Sequence, residues 1–186
     1  MRTDDTTNAE TEITQIAAFG DTTLIVGPDK KKLMVQSFFL RGASEFLNNL
    51  LEFFIEAATG PIVVPFPEED ARSVEIICNV LHHRNDAVPK VLTPSGVLAV
   101  AITALSLDCI VALTWASVAW LRPTDLNDLR GLSQLMAAAY ILDNSQAFGD
   151  ITLAMMLHHN NPYCGLPHPN LRLNNHFSWI MRKSYS

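Results

Sequence analysis

The chain contains few of the residues on which enzymes and disulfide frameworks depend. Among its 186 residues there are only three cysteines, and no two of them have the spacing of a redox or metal motif. The eight glycines are scattered, so the sequence has no glycine-rich phosphate loop, and no Gly-x-Ser-x-Gly element marks a nucleophile. The sequence therefore favours a protein that is not an enzyme, and we expect no cofactor and no metal.

The chain also has fewer basic than acidic residues: 13 lysines and arginines against 19 aspartates and glutamates, which gives a formal net charge of −6. Proteins bind nucleic acid largely through Lys and Arg contacts to phosphate, so this balance argues against a nucleic-acid partner. The one basic cluster, Lys30–Lys32, falls in a predicted turn. A solvated loop is favoured there over a targeting signal.

The first 11 residues lack the apolar segment that a secretory signal needs. Thr, Asp, Asn and Glu dominate them, which is typical of a disordered tail. Cys78 and Cys109 lie in apolar helical patterns and are interpreted as small buried hydrophobic residues. These features favour a reducing compartment, so we expect an intracellular protein that is cytoplasmic, nuclear or both.

One long apolar run, residues 97–121, contains a single charged residue, Asp108. Its length is that of a membrane-spanning helix, but a carboxylate at the middle of a bilayer costs about 3 kcal/mol. Asp108 also divides the run into two parts that are each too short to span. The pattern therefore predicts two short buried helices that meet at Leu107–Asp108, and no membrane partner.

The local patterns of the first half predict an α+β fold, and an apolar content of 48% is sufficient for a sizeable core. Residues 22–27 and 33–35 indicate two antiparallel strands around a Gly-Pro-Asp turn. This hairpin leads into a helical hairpin, in which Ser44 is predicted to cap a helix with apolar residues every three to four positions. A short strand at 62–64 and a helix with an acidic start at 68–70 follow.

The second half is predicted to be helical. Thr93 and Pro94 form a cap with proline at the first helical position, and the two apolar helices come next. A further helix is predicted to be capped at 123–125, and a last one covers 145–158. Prolines and asparagines beyond residue 160 indicate a loop or tail.

The order of these motifs resembles the BTB/POZ family, in particular fungal single-module BTB proteins. Asp21 stands where the family starts its first strand, and Val35-Gln36-Ser37 stands where it has a Val-His-Ser-like step. Ser44-x-x-Leu47 is similar to its Ser-x-x-Phe helix start. Leu107-Asp108-Cys109 is similar to its Tyr-Asp-Cys-like hinge between the last two helices.

This resemblance implies a small β-sheet clad by helical hairpins, with a C-terminal helical extension. It implies a domain at residues 12–123 and the extension at 124–160, between a tail at 1–11 and a Pro/Asn-rich tail at 161–186. It further implies homo- or hetero-dimerisation, and a scaffold or adaptor function without catalysis. The sequence departs from the family where Gln36 replaces a His, and it has no kelch, MATH or zinc-finger segment to capture a substrate.

Six residues are candidates for contacts with a protein partner. Family members that recruit a cullin scaffold carry a hydrophobic-x-Glu step, which Phe54-x-Glu56 matches, so a substrate adaptor of a cullin-type ubiquitin ligase is an alternative function. The other interpretation makes Phe54 a core residue and Glu56 a solvated one. The two tryptophans in the second apolar helix belong either to the core or to an interface. The candidates are Asp21, Gln36, Phe54, Glu56, Trp115 and Trp120.

A metal-binding protein or enzyme built on C-terminal residues is the second alternative. Its ligands would come from His158, His159, Cys164 and His168. Adjacent histidines on a helix point about 100° apart, so this pair is poorly placed to bind one ion. The Pro-rich segment that carries Cys164 and His168 offers no rigid support, and the pattern favours solvated side chains instead.

Overall fold

The computed structural model of the protein describes residues 12–159 and has an α+β fold. The strands are Ile13–Gln15 (β1), Thr22–Val26 (β2), Lys31–Val35 (β3) and Ile62–Phe66 (β4). The helices are Ser37–Ala43 (α1), Glu45–Ala57 (α2), Ala71–Leu81 (α3), Pro94–Ser106 (α4), Thr114–Trp120 (α5), Leu129–Ile141 (α6) and Ser145–His158 (α7), with a 3-10 helix at Ile110–Leu113. The predicted tails at 1–11 and 161–186 lie outside the described residues.

The described chain divides between Val88 and Pro89 into two compact units. The N-terminal unit holds the four strands and α1–α3, and the C-terminal unit holds α4–α7. The predicted boundaries of a domain at 12–123 and an extension at 124–160 stay a prediction.

The sheet of the N-terminal unit is mixed, with strand order β1-β3-β2-β4. β2 and β3 form the predicted antiparallel hairpin, in which Leu24 pairs with Leu33. Alternate residues of both strands are buried, as the period of two requires. The turn uses Gly27 at a φ of 71°, a conformation that glycine adopts without steric cost. β1 and β4 add in parallel at the two edges.

The predicted helical hairpin consists of α1 and α2, which pack against each other. The Ser44 side chain accepts a hydrogen bond from the Leu47 backbone N–H at 3.0 Å, which confirms the predicted cap. Asp70 caps α3 in the same way, and its carboxylate accepts from both the N–H and the hydroxyl of Ser73 at 2.8 and 2.7 Å. The acidic start predicted for this helix is therefore its cap.

The C-terminal unit is built from helices, among which α6 packs against both α4 and α7. Ala101, Ala104, Ala138 and Ala139 of α4 and α6 are fully buried, and such small side chains let helices approach closely. Thr93 caps α4 by accepting from the Gly96 N–H at 3.1 Å, as predicted.

The apolar run of residues 97–121 is broken where the sequence predicted. α4 ends at Ser106, and Asp108 has a left-handed φ of 53°, which a helix cannot continue through. The second half differs from prediction, because a 3-10 helix comes first and α5 covers only Thr114–Trp120. The prediction that this second helix is buried was also wrong, since half or more of its side chains are exposed. None of the helices within residues 12–159 has the length and apolarity needed to cross a membrane.

The cap of α6 is three residues later than predicted. The sequence indicated a cap within residues 123–125, whereas the Asp128 carboxylate accepts from the Gly131 N–H at 2.9 Å. Asp125 instead accepts from the N–H of Asn127, in a local turn. Both aspartates suit a cap, so the local sequence does not distinguish between them.

Candidate functional site

Asp21 and Gln36, two of the predicted contact residues, lie together at the start of α1. The Asp21 carboxylate accepts from the Ser37 N–H at 2.7 Å and from the Ser37 hydroxyl at 2.6 Å. The Gln36 side-chain amide donates to the same carboxylate at 3.1 Å. Gln36 occupies the cap position of α1, but its own side chain does not cap the helix. A residue from the start of β2 therefore provides the cap.

The electrostatics of Asp21 follow from these hydrogen bonds. Partial burial is the largest single influence and raises the pKa of the carboxyl, but the hydrogen bonds to the carboxylate, of which those from Ser37 have the largest influence, together outweigh it. The pKa of Asp21 consequently lies below its usual range. A carboxylate is also favoured at a helix N-terminus, where the backbone N–H groups carry partial positive charge.

His82 completes this site from the end of α3. Its Nε2 lies 2.9 Å from the Gln36 backbone nitrogen, and its Nδ1 lies 2.7 Å from the Cys78 carbonyl oxygen. A backbone N–H can only donate, so Nε2 accepts, and Nδ1–H donates to the carbonyl. The imidazole is therefore neutral. We call Asp21, Gln36, Ser37 and His82 the α1 anchor.

The pKa of His82 lies below its ordinary value, first because burial disfavours the charged ring and also because His83 is nearby. Sequence analysis assigned no role to His82. Its partner Gln36 is 46 residues away, so a local pattern carries no signal for the contact.

Aromatic side chains lie beside the α1 anchor. The Phe39 ring is 5.1 Å from the His82 ring and 5.8 Å from the His83 ring, measured between centroids. Phe38 contacts Phe39 edge-on and is 74% exposed. The first turn of α1 thus presents an exposed aromatic ring, which follows Ser37 of the polar cluster in sequence.

The predicted pair Phe54 and Glu56 lies near the end of α2. Phe54 is half-buried and its ring is 5.4 Å from that of Phe53, while Glu56 is exposed. Phe54 is thus neither a full core residue nor a fully solvated one. Phe53, which sequence analysis did not single out, is the more exposed of the two rings.

The two predicted tryptophans differ completely in their surroundings. Trp120 is 3% exposed, and its indole Nε1–H donates to the Pro89 carbonyl at 2.7 Å, which makes it a core residue. Trp115 is 88% exposed. Five helical residues correspond to a rotation of about 140°, so their spacing already indicated that both could not face one core.

Trp115 has two exposed apolar neighbours in sequence at helical spacing. Val111 is 86% exposed and Val118 is 44% exposed. Residues three apart are neighbours on an α-helix surface, so Trp115 and Val118 lie side by side on α5. Val111 belongs to the 3-10 helix that precedes it. We call Trp115 and Val118, together with the exposed Val111, the α5 strip.

The residues proposed for a metal site fall partly outside the described chain. Cys164 and His168 are among the residues that the structure does not describe. His159 Nε2 donates to the Leu126 carbonyl oxygen at 2.9 Å. Within residues 12–159, no group of three or more His, Cys, Asp or Glu side chains is placed to hold a metal ion.

Comparisons with known proteins add no relative. No protein-family model matches the chain, and a search of the curated proteins returned no match.

Proposed function

We propose that the chain is a protein–protein interaction module of the BTB/POZ kind, a scaffold or adaptor that associates with a second copy of itself through the α5 strip. The exposure of Trp115 is the observation that carries this proposal, because 88% of a large apolar residue faces water. Tryptophan is enriched among the residues that dominate binding energy at protein interfaces.

The energy available from this strip is considerable. An aromatic side chain buries roughly 200 Å², and apolar area contributes about 25 cal/mol per Å² when it is removed from water. Trp115 alone could therefore contribute about 5 kcal/mol before the entropic costs of association are subtracted. Val118, three residues further along α5, extends the apolar area beside Trp115.

The charge pattern favours a second copy as the partner. Residues 109–121 contain no Asp, Glu, Lys or Arg. In a twofold dimer the same patch meets itself, so any charge at its centre would face its own sign. A patch without charge avoids this repulsion.

The assignment to the BTB/POZ kind draws support from the order of elements. The β2–β3 hairpin is followed by the α1–α2 hairpin, then by β4 and α3, and the break at Leu107–Asp108 separates two later helices. This is the order that the resemblance implied. Asp21 also lies at the start of β2, where it ties the hairpin to α1.

Size-exclusion chromatography with light scattering tests self-association in the full chain at tens of micromolar. We expect a dimer for the wild type and a shift towards monomer for Trp115→Gln. Tyr140→Gln is the matched control, because Tyr140 is an exposed aromatic residue on α6, outside the strip. A wild type that stays monomeric, or a Trp115→Gln variant that dimerises as the wild type does, would contradict the proposal.

A substrate adaptor of a cullin-type ubiquitin ligase is a second candidate function, favoured by the accessibility of the Phe54-x-Glu56 step. Glu56 is exposed and Phe54 is partly so. Pull-down of a cullin scaffold by wild type, Glu56→Ala and the control Asn49→Ala tests it, because Asn49 is an exposed residue of the same helix. We expect capture by wild type and Asn49→Ala only; no capture by wild type ends this candidate.

A further inference from the structure

We propose that His82 is a pH-sensitive latch that holds the N-terminus of α1 to the end of α3 when the ring is neutral and releases it when the ring is protonated. The latch belongs to the fold and does not depend on the proposed function. Its evidence is the geometry of the two hydrogen bonds that the ring makes.

Both ring nitrogens of His82 are engaged, and their partners have opposite chemistry. The Cys78 carbonyl oxygen lies 2.7 Å from Nδ1 and requires a donor, whereas the Gln36 N–H lies 2.9 Å from Nε2 and requires an acceptor. Only the neutral tautomer with the proton on Nδ1 satisfies both. A second proton would place two N–H groups against each other, so protonation breaks the bond to Gln36.

The hydrogen bond to Gln36 lies where its loss affects the attachment of α1 to α3. Gln36 is the cap residue of α1, and its backbone N–H points to α3. An imidazolium here would be disfavoured by the partial positive charge at the N-terminus of α1 and favoured by the partial negative charge at the C-terminus of α3, which His82 caps. These two effects oppose each other, so the loss of the hydrogen bond is what releases the first turn of α1 from α3.

Neighbouring charges modify the latch but do not reverse it. His83 opposes protonation of His82, and Asp21 favours it. The Asp21 carboxylate already accepts hydrogen bonds from Ser37 and from the Gln36 side chain, which limits how far it can stabilise an imidazolium. The other charged side chains near these elements already interact with other groups. Arg41 contacts Asn48 and Glu52, and Lys31 forms an ion pair with Glu75. Arg84 donates to the carbonyl oxygens of Gln15 and Ile16.

The sign of the pH dependence follows from the direction of the shift. The pKa of His82 is lower in the folded protein than its ordinary value of about 6.5, so the unfolded chain binds more protons below that pH. Stability is therefore complete above about pH 7.5 and falls as the pH drops through 6.5. Lowering the pH from 7.5 to 5.5 can therefore raise the unfolding equilibrium constant by up to about tenfold through His82 alone.

Denaturant unfolding of the full chain at pH 7.5 and 5.5 tests the latch. His82→Gln keeps an acceptor near the Nε2 position but cannot titrate, so we expect its unfolding constant to change less with pH than that of the wild type, by up to about tenfold. His158→Asn is the control, since His158 is an exposed histidine of α7 that takes no part in the latch. This variant should keep the wild-type pH dependence.

Nuclear magnetic resonance of the wild type provides a second readout that needs no variant. The His82 ring should titrate below 6.5, and the protection of the Gln36 amide proton, measured relative to its intrinsic exchange rate at each pH, should fall as the ring becomes charged. His82 titration at or above 6.5, a Gln36 amide whose protection is independent of the ring, or a His82→Gln variant with the full wild-type pH dependence would each overturn the proposal.

Discussion

The two units of the molecule differ in the polar contacts that accompany their apolar cores. In the N-terminal unit, hydrogen bonds of ionisable side chains join residues distant in sequence, such as Asp21 with Ser37, His82 with Gln36, and Lys31 with Glu75. In the C-terminal unit the helices α4, α6 and α7 pack through buried alanine, leucine and isoleucine side chains, and the uncharged indole of Trp120 makes the hydrogen bond to Pro89. The first unit should therefore be the more sensitive to charge, whereas both should be sensitive to the volume of buried side chains.

The largest effect should come from a cavity in the C-terminal unit. Leu113 is completely buried, and Leu113→Ala should lower the free energy of unfolding by about 3 kcal/mol, because both transfer energy and packing contacts are lost. Leu157→Ala, the same change at an exposed leucine of α7, should change it by less than about 0.5 kcal/mol. Equal losses in denaturant unfolding would contradict the assignment of the buried face.

Removal of the cap should have the next largest effect, in the N-terminal unit. Asp21→Ala leaves the N–H and hydroxyl of Ser37 without their carboxylate acceptor, and we expect a loss of about 1 to 2 kcal/mol after allowing for the exposure of this carboxyl. Asp29→Ala, in the exposed hairpin turn, is the control and should have little effect.

The Asp21 contribution should also depend on pH in a defined direction. The folded pKa of Asp21 is depressed, so its contribution is present above the ordinary value of about 3.9 and is lost as the pH falls through the lower folded value. The difference in unfolding free energy between wild type and Asp21→Ala should accordingly be constant from pH 5 to 8 and shrink in stronger acid. A difference that persists unchanged there would refute the carboxylate cap.

A comparable loss is expected where the backbone passes close to β3. A Cβ at Gly20 would lie 2.6 Å from Met34 Cγ and 2.8 Å from the Val35 carbonyl oxygen, and the backbone oxygen cannot move aside cheaply. Gly20→Ala should therefore cost about 1 to 2 kcal/mol. Gly60→Ala, where a Cβ meets nothing within 4 Å, should be neutral or slightly stabilising in the same unfolding assay.

The smallest loss of stability is expected when a single hydrogen bond is removed, and it should occur at one of the two tryptophans only. Trp120→Phe keeps much of the ring but removes the donor to the Pro89 carbonyl, which should cost about 1 kcal/mol. Trp115→Phe should leave the free energy of unfolding of the monomer unchanged, because this ring is exposed. If both variants lost the same stability, the tryptophans would not differ as described.

Elements with a local signal could be predicted from the sequence. The caps at Ser44 and Thr93, the turn at Gly27 and the break at Asp108 depend on residues within a few positions, and all are present in the structure. The cap of α6 was misplaced because Asp125 and Asp128 carry the same local signal, and only tertiary packing selects one of them.

The candidate site was predictable only in part, because its contacts span long distances in sequence. Asp21 and Gln36 were selected from the family resemblance, and the structure brings them together around Ser37. His82 was missed because a helix-terminal histidine looks the same whether it is solvated or bonded to a backbone N–H from another element. A hydrophobic count alone likewise could not decide which of Trp115 and Trp120 faces outward.

The molecular mass of the wild-type chain in solution at tens of micromolar tests the central claim most directly. One chain weighs 20.6 kDa. Light scattering should give about twice that mass for the wild type, together with a shift towards one chain mass for Trp115→Gln. A wild-type mass of one chain throughout this concentration range would contradict the account of the α5 strip as a self-association surface.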